Sequence, residues 1–146
     1  MVEINFEKVK ERALRLLARR DHSAFELKQK LRQKLKIQNE DFENLLVYLK
    51  GHGYLAGEDD LARRWANQWR QEGRGRHWIQ GKLKSKGLPP VELRDDEQET
   101  EAALIFLGKR FAGRVPSCLS LKDRGKLARS LISRGFSSSL VATLIR

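Results

Sequence analysis

Three stretches of the chain share one pattern of apolar and polar positions. Each has aliphatic residues four positions apart with polar residues between them: Leu27, Leu31 and Leu35; Ile79 and Leu83; Leu127 and Leu131. This spacing places the apolar side chains on one face of an α-helix. When Leu31, Leu83 and Leu131 are aligned as anchors, they lie 52 and 48 residues apart. Self-similarity at that interval predicts stacked helical repeats of about fifty residues.

The anchors of the second and third copies are followed by the same turn signal. Gly87 and Gly135 stand four residues after their anchors, and each precedes an apolar residue. Glycine readily adopts the left-handed conformation that ends a helix. The first copy has Leu35 at this position instead.

Helix starts are predicted from serine. Ser23 with Glu26 three residues later forms the pattern of a capping box, and Ser120 with Asp123 is a weaker version of it. Ser137 is a candidate N-cap for a final helix.

Further amphipathic helices flank each anchor. The upstream ones are marked by Phe6, Val9, Ala13, Leu14, Leu16 and Leu17, by Leu61, Trp65 and Trp69, and by Ala103, Leu104, Phe106, Leu107 and Phe111. The downstream ones are marked by Phe42, Leu45, Leu46 and Leu49 and by Leu140, Val141 and Leu144, whereas the second copy offers only Val91 and Leu93. The sequence therefore predicts an all-α fold of three tandem three-helix repeats, about nine helices in all, over residues 1–55, 56–99 and 100–146.

Basic side chains accompany the aliphatic stripes, and lysine and arginine outnumber aspartate and glutamate 30 to 19 for a net charge of +11. The candidate binding residues are Lys28, Lys30, Arg32, Lys34, Lys36, Arg63, Arg64, Arg70, Arg74, Arg76, Lys82, Lys84, Lys86, Lys122, Lys126 and Arg129. In the first copy, Lys28, Arg32 and Lys36 fall on one line at helical spacing, and Lys30 and Lys34 fall on another. Such rows suit a nucleic-acid backbone or an acidic protein surface. The alternative is an ordinary solvated face whose long stems cover the edge of the core. Residues 61–86 hold eight basic side chains and one acid, Glu72, and this imbalance favours the binding interpretation.

Aromatic residues are interleaved with this charge. Trp65, Trp69, His77 and Trp78 could stack on bases, but Trp65 and Trp69 at helical spacing are expected in the core. The acidic run from Asp95 to Glu101 is interpreted as a solvated helix start rather than a cation site.

No pattern typical of catalysis is found. The three histidines are scattered, and His22, which lies in the turn before a predicted helix start, is expected at the surface. Cys118 is the only cysteine, and no phosphate loop or nucleophile elbow occurs. The N-terminal residues have no apolar run, and the longest wholly apolar stretch, Ala102 to Leu107, is too short to span a bilayer. We therefore expect a cytoplasmic binding protein, not an enzyme, with no cofactor, metal or membrane association.

Four segments stand in a characteristic order along the chain: ALRLLARRDHSAFELKQKL (13–31), GHGYL (51–55), RQEGRGRHWIQGKLKSKGL (70–88) and RGF (134–136). The first two are similar to the first repeat and its sequel in the RecX family of RecA regulators. The third segment resembles the second repeat of that family, and the last resembles its third. The chain departs from the family pattern where Ala56, Gly57 and Glu58 precede the acidic pair Asp59 and Asp60, and at Leu35.

The resemblance implies an elongated, curved array of repeats that acts as a monomer. It implies a protein that lodges in the groove of the RecA–single-stranded-DNA filament, hinders its growth, and lowers its ATPase, strand-exchange and coprotease activities. DNA repair, homologous recombination and the SOS response are the processes that this role serves. The alternative function is that of a helical protein that binds nucleic acid without sequence preference.

Overall fold

The computed structural model describes residues 6–111 and 119–145, which form eight α-helices and no strand. The helices are α1 (Phe6–Arg19), α2 (Ala24–Lys34), α3 (Asn39–Gly51), α4 (Glu58–Gln71), α5 (Arg76–Ser85), α6 (Asp96–Arg110), α7 (Leu121–Ser133) and α8 (Ser138–Leu144). The predicted all-α class is confirmed, with eight helices in these ranges against the nine or so expected. Cys118 lies outside the described residues.

The described residues group into two compact units. The first holds the residues up to Ala62 together with Ser85–Pro89, and the second holds Arg63–Lys84 together with the residues from Pro90 onward. One boundary falls inside α4, one at the last residue of α5 and one between Pro89 and Pro90. The division into three repeats stays a prediction.

The first unit is built from α1, α2 and α3, and α1 packs against both of the others. Its core consists of Val9, Ala13, Leu27, Leu31, Ile37, Phe42, Leu45, Leu49 and Leu55. Leu27 and Leu31 are fully buried, as the stripe predicts. The anchor of this copy therefore points into the core.

The second unit contains a core formed from α6, α7 and α8. It consists of Ala102, Ala103, Leu107, Leu127, Leu131, Phe136 and Val141. The anchors Leu83 and Leu131 are both fully buried, so all three anchors face a core as the stripes predict. Leu104 is 52% exposed, so its predicted place on the apolar face of α6 is wrong.

The predicted helix starts are all present. Ser23 and Glu26 form the full capping box of α2, in which the serine hydroxyl accepts from the Glu26 N–H and the glutamate accepts from the Ser23 N–H. Ser120 caps α7 by accepting from the N–H of Asp123, and Ser137 caps α8 by accepting from the N–H of Leu140. These bonds satisfy backbone donors that the first turn of a helix leaves without partners.

The helix ends differ as the glycine pattern predicts. Gly87 and Gly135 have φ of 69° and 101°, the left-handed region that favours glycine. Leu35 instead adopts an extended conformation with φ of −128°, so α2 stops at Lys34 and Leu35 does not continue the helical stripe. The chain turns inward at Ile37, which is buried.

The third helix of the second copy, expected around Val91 and Leu93, is absent, and the chain from Leu88 to Asp95 is not helical. Pro89 and Pro90 lack the N–H that a helix needs, and proline disfavours helical geometry at the residue before it. The side-chain amide of Gln80 holds the extended chain by donating to the carbonyl of Val91 and accepting from its N–H.

None of the described helices combines the length and the apolar character that a membrane crossing requires.

Candidate functional surface

Four of the candidate basic residues lie on α2 in the first unit. Arg32 and Lys34 are exposed, whereas Lys28 and Lys30 are half-buried. The Lys28 ammonium lies 5.4 Å from the centre of the Phe42 ring, so its stem covers the edge of the core. Arg32 donates a hydrogen bond to the side-chain oxygen of Asn39.

Lys36 is exposed but lies beyond the end of α2. The predicted line of Lys28, Arg32 and Lys36 at helical spacing is therefore wrong at its third member, because Leu35 has already left the helix. Lys34, inside the last turn of α2, keeps its predicted helical position.

Lys30 contacts the buried ring of His22, with 2.9 Å between its Nζ and the histidine Nε2. An ammonium can only donate, so Nε2 accepts and Nδ1 donates to the carbonyl of Arg20 at 3.0 Å. Burial lowers the pKa of His22 below 6.5, and the charges of Arg20 and Lys30 act in the same direction. His22 was expected at the surface, and this expectation is wrong.

Lys86 is partly buried, and its ammonium lies 2.9 Å from a carboxylate oxygen of Glu26. Arg20 binds the same oxygen at 2.9 Å. Burial on its own would raise the pKa of Glu26, but hydrogen bonds from Arg20, Lys86 and the Ser23 N–H lower it to about 2. Lys86 thus serves as a counter-ion within the first unit.

Arg70 is a correction to the surface set, because it is buried in the second unit. Its guanidinium lies 3.4 Å from the Glu99 carboxylate and donates to the carbonyl of Leu93 at 3.2 Å. It also donates to the side-chain oxygen of Gln98. A buried arginine requires such partners, and it is not available to a ligand.

Arg76 shares the same glutamate. Its Nε lies 3.7 Å from Glu99, its Nη2 lies 2.9 Å from Asp96, and its backbone N–H donates to Glu99 at 2.9 Å. The side chain is about a quarter exposed, so Arg76 reaches the surface only in part.

The three tryptophans form one group in the second unit. The rings of Trp65 and Trp69 are 5.9 Å apart, and those of Trp69 and Trp78 are 5.4 Å apart in an edge-to-face arrangement. All three are half-buried, so the expectation that Trp65 and Trp69 are fully in the core is wrong. The Arg74 guanidinium lies 4.3 Å from the centre of the Trp78 ring, a cation–π contact.

The remaining candidates of the middle segment, Arg63, Arg64, Lys82 and Lys84, are exposed. The Lys82 ammonium lies 5.9 Å from the centre of the Trp78 ring. His77, beside Trp78 in sequence, is exposed as well.

In the last segment, Lys122, Lys126 and Arg129 are exposed on α7. Lys126 and Arg129 line an open cleft of about 550 Å³ beside α6, whereas Lys122 does not. Arg110 and Arg134 also line this cleft, and sequence reasoning had selected neither of them.

The acidic run begins α6, as predicted, with Asp95 as the N-cap accepting from the N–H groups of Glu97 and Gln98. Glu99 is the exception, because it is 1% exposed and pairs with Arg70 and Arg76. The sequence held no local signal that set Glu99 apart from its exposed acidic neighbours in the same turn. Across residues 6–111 and 119–145, no cluster of three or more acidic, histidine or cysteine side chains is placed to hold a metal ion.

The fold is thus that of an all-helical protein whose leucine-anchored helices carry exposed basic residues. Two curated proteins that are similar to this chain are named regulatory protein RecX. The regulatory protein RecX of Ralstonia pickettii is 34% identical over 143 residues, covering 94% of this chain and 86% of that protein. The regulatory protein RecX of Trichlorobacter lovleyi is 32% identical over 141 residues, covering 90% of each.

Two further comparisons agree. The family model described as "RecX, first three-helix domain" matches residues 10–35. The crystal structure of RecX from Lactobacillus salivarius matches with a TM-score of 0.72 over 96% of this chain and 94% of the other, at 20% identity, which shows the shared fold. The chain belongs to the RecX family of regulatory proteins.

Proposed function

We propose that this chain regulates the RecA recombinase by binding the RecA–single-stranded-DNA filament and limiting its growth. Lower ATPase, strand-exchange and coprotease activities follow, because each depends on the length of the filament. The protein acts in the cytoplasm as a monomer of three tandem repeats, without a cofactor and without catalysing a reaction.

The observation that carries the proposal is the match to named RecX regulatory proteins along nine-tenths or more of the chain. The exposed basic residues of α2, of the α4–α5 segment and of α7 support it, since they present positive charge from every part of the sequence. A protein that binds one assembly state better than another shifts the assembly equilibrium without any chemistry.

Titration of the chain into RecA on single-stranded DNA tests this function. We expect suppression of the ATPase with far less than one copy of the chain per RecA protomer, because a few bound copies stop the growth of a long filament. Suppression only at stoichiometric amounts, relieved by excess free DNA, would instead identify a protein that binds nucleic acid without preference and competes for the strand.

The role of the basic surface is tested by the triple variant Arg32→Gln, Lys34→Gln, Lys36→Gln. All three residues are exposed, so helical content should be unchanged. Lys8→Gln, Arg15→Gln, Arg19→Gln removes the same charge from exposed positions of α1 and serves as the matched control. Filament inhibition weakened by the first variant and not by the second is the expected result, and equal effects would show that only net charge matters.

A further inference from the structure

The cleft between α6 and α7 is lined by four cationic side chains and no acidic one. Lys126, Arg129 and Arg110 are exposed, and Arg134 is half-buried at the C-terminal end of α7. The cleft is open to solvent and has a volume of about 550 Å³.

Helical geometry explains why these groups converge. Lys126, Arg129, Ser130 and Ser133 are spaced three and four residues apart, so they share one face of α7. On α6, Phe106 and Arg110 are four residues apart and supply the opposite wall. Arg110 donates to the hydroxyl of Ser130 at 3.1 Å, so a bond between two ligand-binding groups already spans the cleft.

The Arg134 side chain is held in place by contacts with Phe106 and Glu72. Its guanidinium lies 4.8 Å from the centre of the Phe106 ring and donates to the carbonyl of Glu72 at 3.1 Å. Its Nε is buried and has no hydrogen-bond partner among the residues that the structure describes. Burial, and next the charge of Arg74, lower the pKa of Arg134, although the Glu72 carboxylate acts in the opposite direction. An arginine nevertheless keeps its charge at neutral pH.

The helix dipoles disfavour anion binding here, because the C-terminal turns of α6 and α7, which carry partial negative charge, lie near Arg110 and Arg134. Each end is equivalent to about half a negative charge, so two of them offset about one of the four cations. A strongly positive cleft remains, and its two serine hydroxyls provide donors to oxygen atoms.

We infer that this cleft is a binding site for a phosphate group, with Arg110, Lys126 and Arg129 as the charged contacts and Ser130 and Ser133 as hydroxyl donors. Arginine forks and hydroxyls are the groups that recognise tetrahedral phosphate oxygens. The phosphate belongs either to the backbone of a single-stranded nucleic acid or to a free nucleotide. The inference deepens the proposed function, since Lys126 and Arg129 are part of the surface proposed there, but its measurement needs no recombinase.

Two probes distinguish the sources: a short labelled oligothymidylate and inorganic pyrophosphate, each titrated into the full chain. The double variant Lys126→Gln, Arg129→Gln should weaken binding of the probe that occupies the cleft by about tenfold and lower the salt slope of oligothymidylate binding by about 1–2. The control Lys8→Gln, Arg19→Gln removes equal charge from exposed sites on α1 and should change affinity by less than about threefold.

The NMR chemical shifts of the Ser130 and Ser133 amide groups in the wild-type chain report binding at the cleft without any substitution. Shifts with oligothymidylate alone identify a strand phosphate, and shifts with pyrophosphate as well identify a site that also accepts a free phosphate group. Absence of shifts with both probes, or equal loss in the two double variants, would overturn the inference. A chain that binds these probes at the cleft but leaves RecA unaffected would refute only the proposed function.

Discussion

Each unit of the molecule buries one glutamate between two basic side chains. In the first unit Glu26 is bound by Arg20 and Lys86, and in the second Glu99 is bound by Arg70 and Arg76. The two sites differ in burial, since the Glu99 side chain is 1% exposed and its partner Arg70 9%, against 11% for Glu26 and 46% for Arg20.

The comparison teaches that basic residues counted along a sequence are not all available to a partner. Arg70, Arg76 and Lys86 belonged to the predicted binding rows, yet each neutralises an internal carboxylate. Removal of the glutamate charge should lower the free energy of unfolding more at Glu99 than at Glu26, because water cannot solvate the unpaired arginine at the more buried site.

Removal of the Glu99 charge should have the largest effect. Glu99→Gln leaves the Arg70 guanidinium buried without a counter-ion, and we expect the free energy of unfolding to fall by about 3–5 kcal/mol. Urea denaturation followed by circular dichroism measures this loss. Glu97→Gln, at an exposed position of the same first turn, should cost less than about 0.5 kcal/mol. A Glu99→Gln cost below about 1 kcal/mol would contradict the expected dependence on burial.

Glu26→Gln should have the next largest effect, and it depends on pH. The pKa of about 2 lies below the ordinary 4.5, so the charged form stabilises the fold above pH 4.5 and the contribution is lost between pH 4.5 and 2. We expect about 2–3 kcal/mol at pH 7, reduced from the full shift because water screens the half-exposed Arg20.

Urea midpoints of wild type and Glu26→Gln should therefore converge as the pH falls from 4.5 to 2. His22 affects stability in a different pH range. Because its pKa is lowered in the folded chain, protonation favours the unfolded chain, and the loss of stability begins as the pH falls below 6.5. A constant difference between wild type and variant from pH 7 to pH 2 would refute the assignment to Glu26.

Ser23→Ala should cost about 2 kcal/mol, at the upper end of the range for a helix cap. Ser23 both accepts from the Glu26 N–H and donates to the carbonyl of Lys86, so its loss affects α2 and the segment that carries Lys86. Ser120→Ala removes a cap with a single accepted bond and should cost about 1 kcal/mol. Thermal unfolding of the two variants side by side tests the difference, and equal midpoints would show that the Lys86 bond adds nothing.

Arg20→Gln should have the smallest effect. Half-exposed ion pairs contribute little, so we expect a loss of less than about 1 kcal/mol. A double-mutant cycle with Glu26→Gln isolates the coupling between the two side chains. A coupling energy above about 2 kcal/mol would show that the two glutamate sites are more alike than their exposure indicates.

The sequence predicted those features that depend on local spacing. Leu31, Leu83 and Leu131 are buried because a period of four residues defines a helix face wherever the helix packs. Gly87 and Gly135 have positive φ because their turns require it, and the serine caps follow from bonds to residues three positions away.

Features that depend on distant partners could not be read in this way. Arg70 and Glu99 are 29 positions apart, and nothing in their local pattern distinguishes a buried pair from two exposed charges. The cleft between α6 and α7 likewise combines two residues from the predicted rows with Arg110 and Arg134, which the stripe pattern did not select. The half-buried tryptophans are a further case, because a helical pattern predicts which face a side chain lies on but not how completely distant residues bury it.

The start of α5 has no side-chain cap of its own. The N–H groups of Gly75 and His77 donate to the carbonyls of Arg134 and Gly135, and the N–H of Arg76 donates to Glu99. A Cβ atom at Gly75 would overlap the backbone of Gly135, which shows how closely the two segments approach. Two of the bonds that complete the first turn of α5 thus come from carbonyls some sixty positions later in the chain, so during synthesis they can form only after Arg134 and Gly135 have been made.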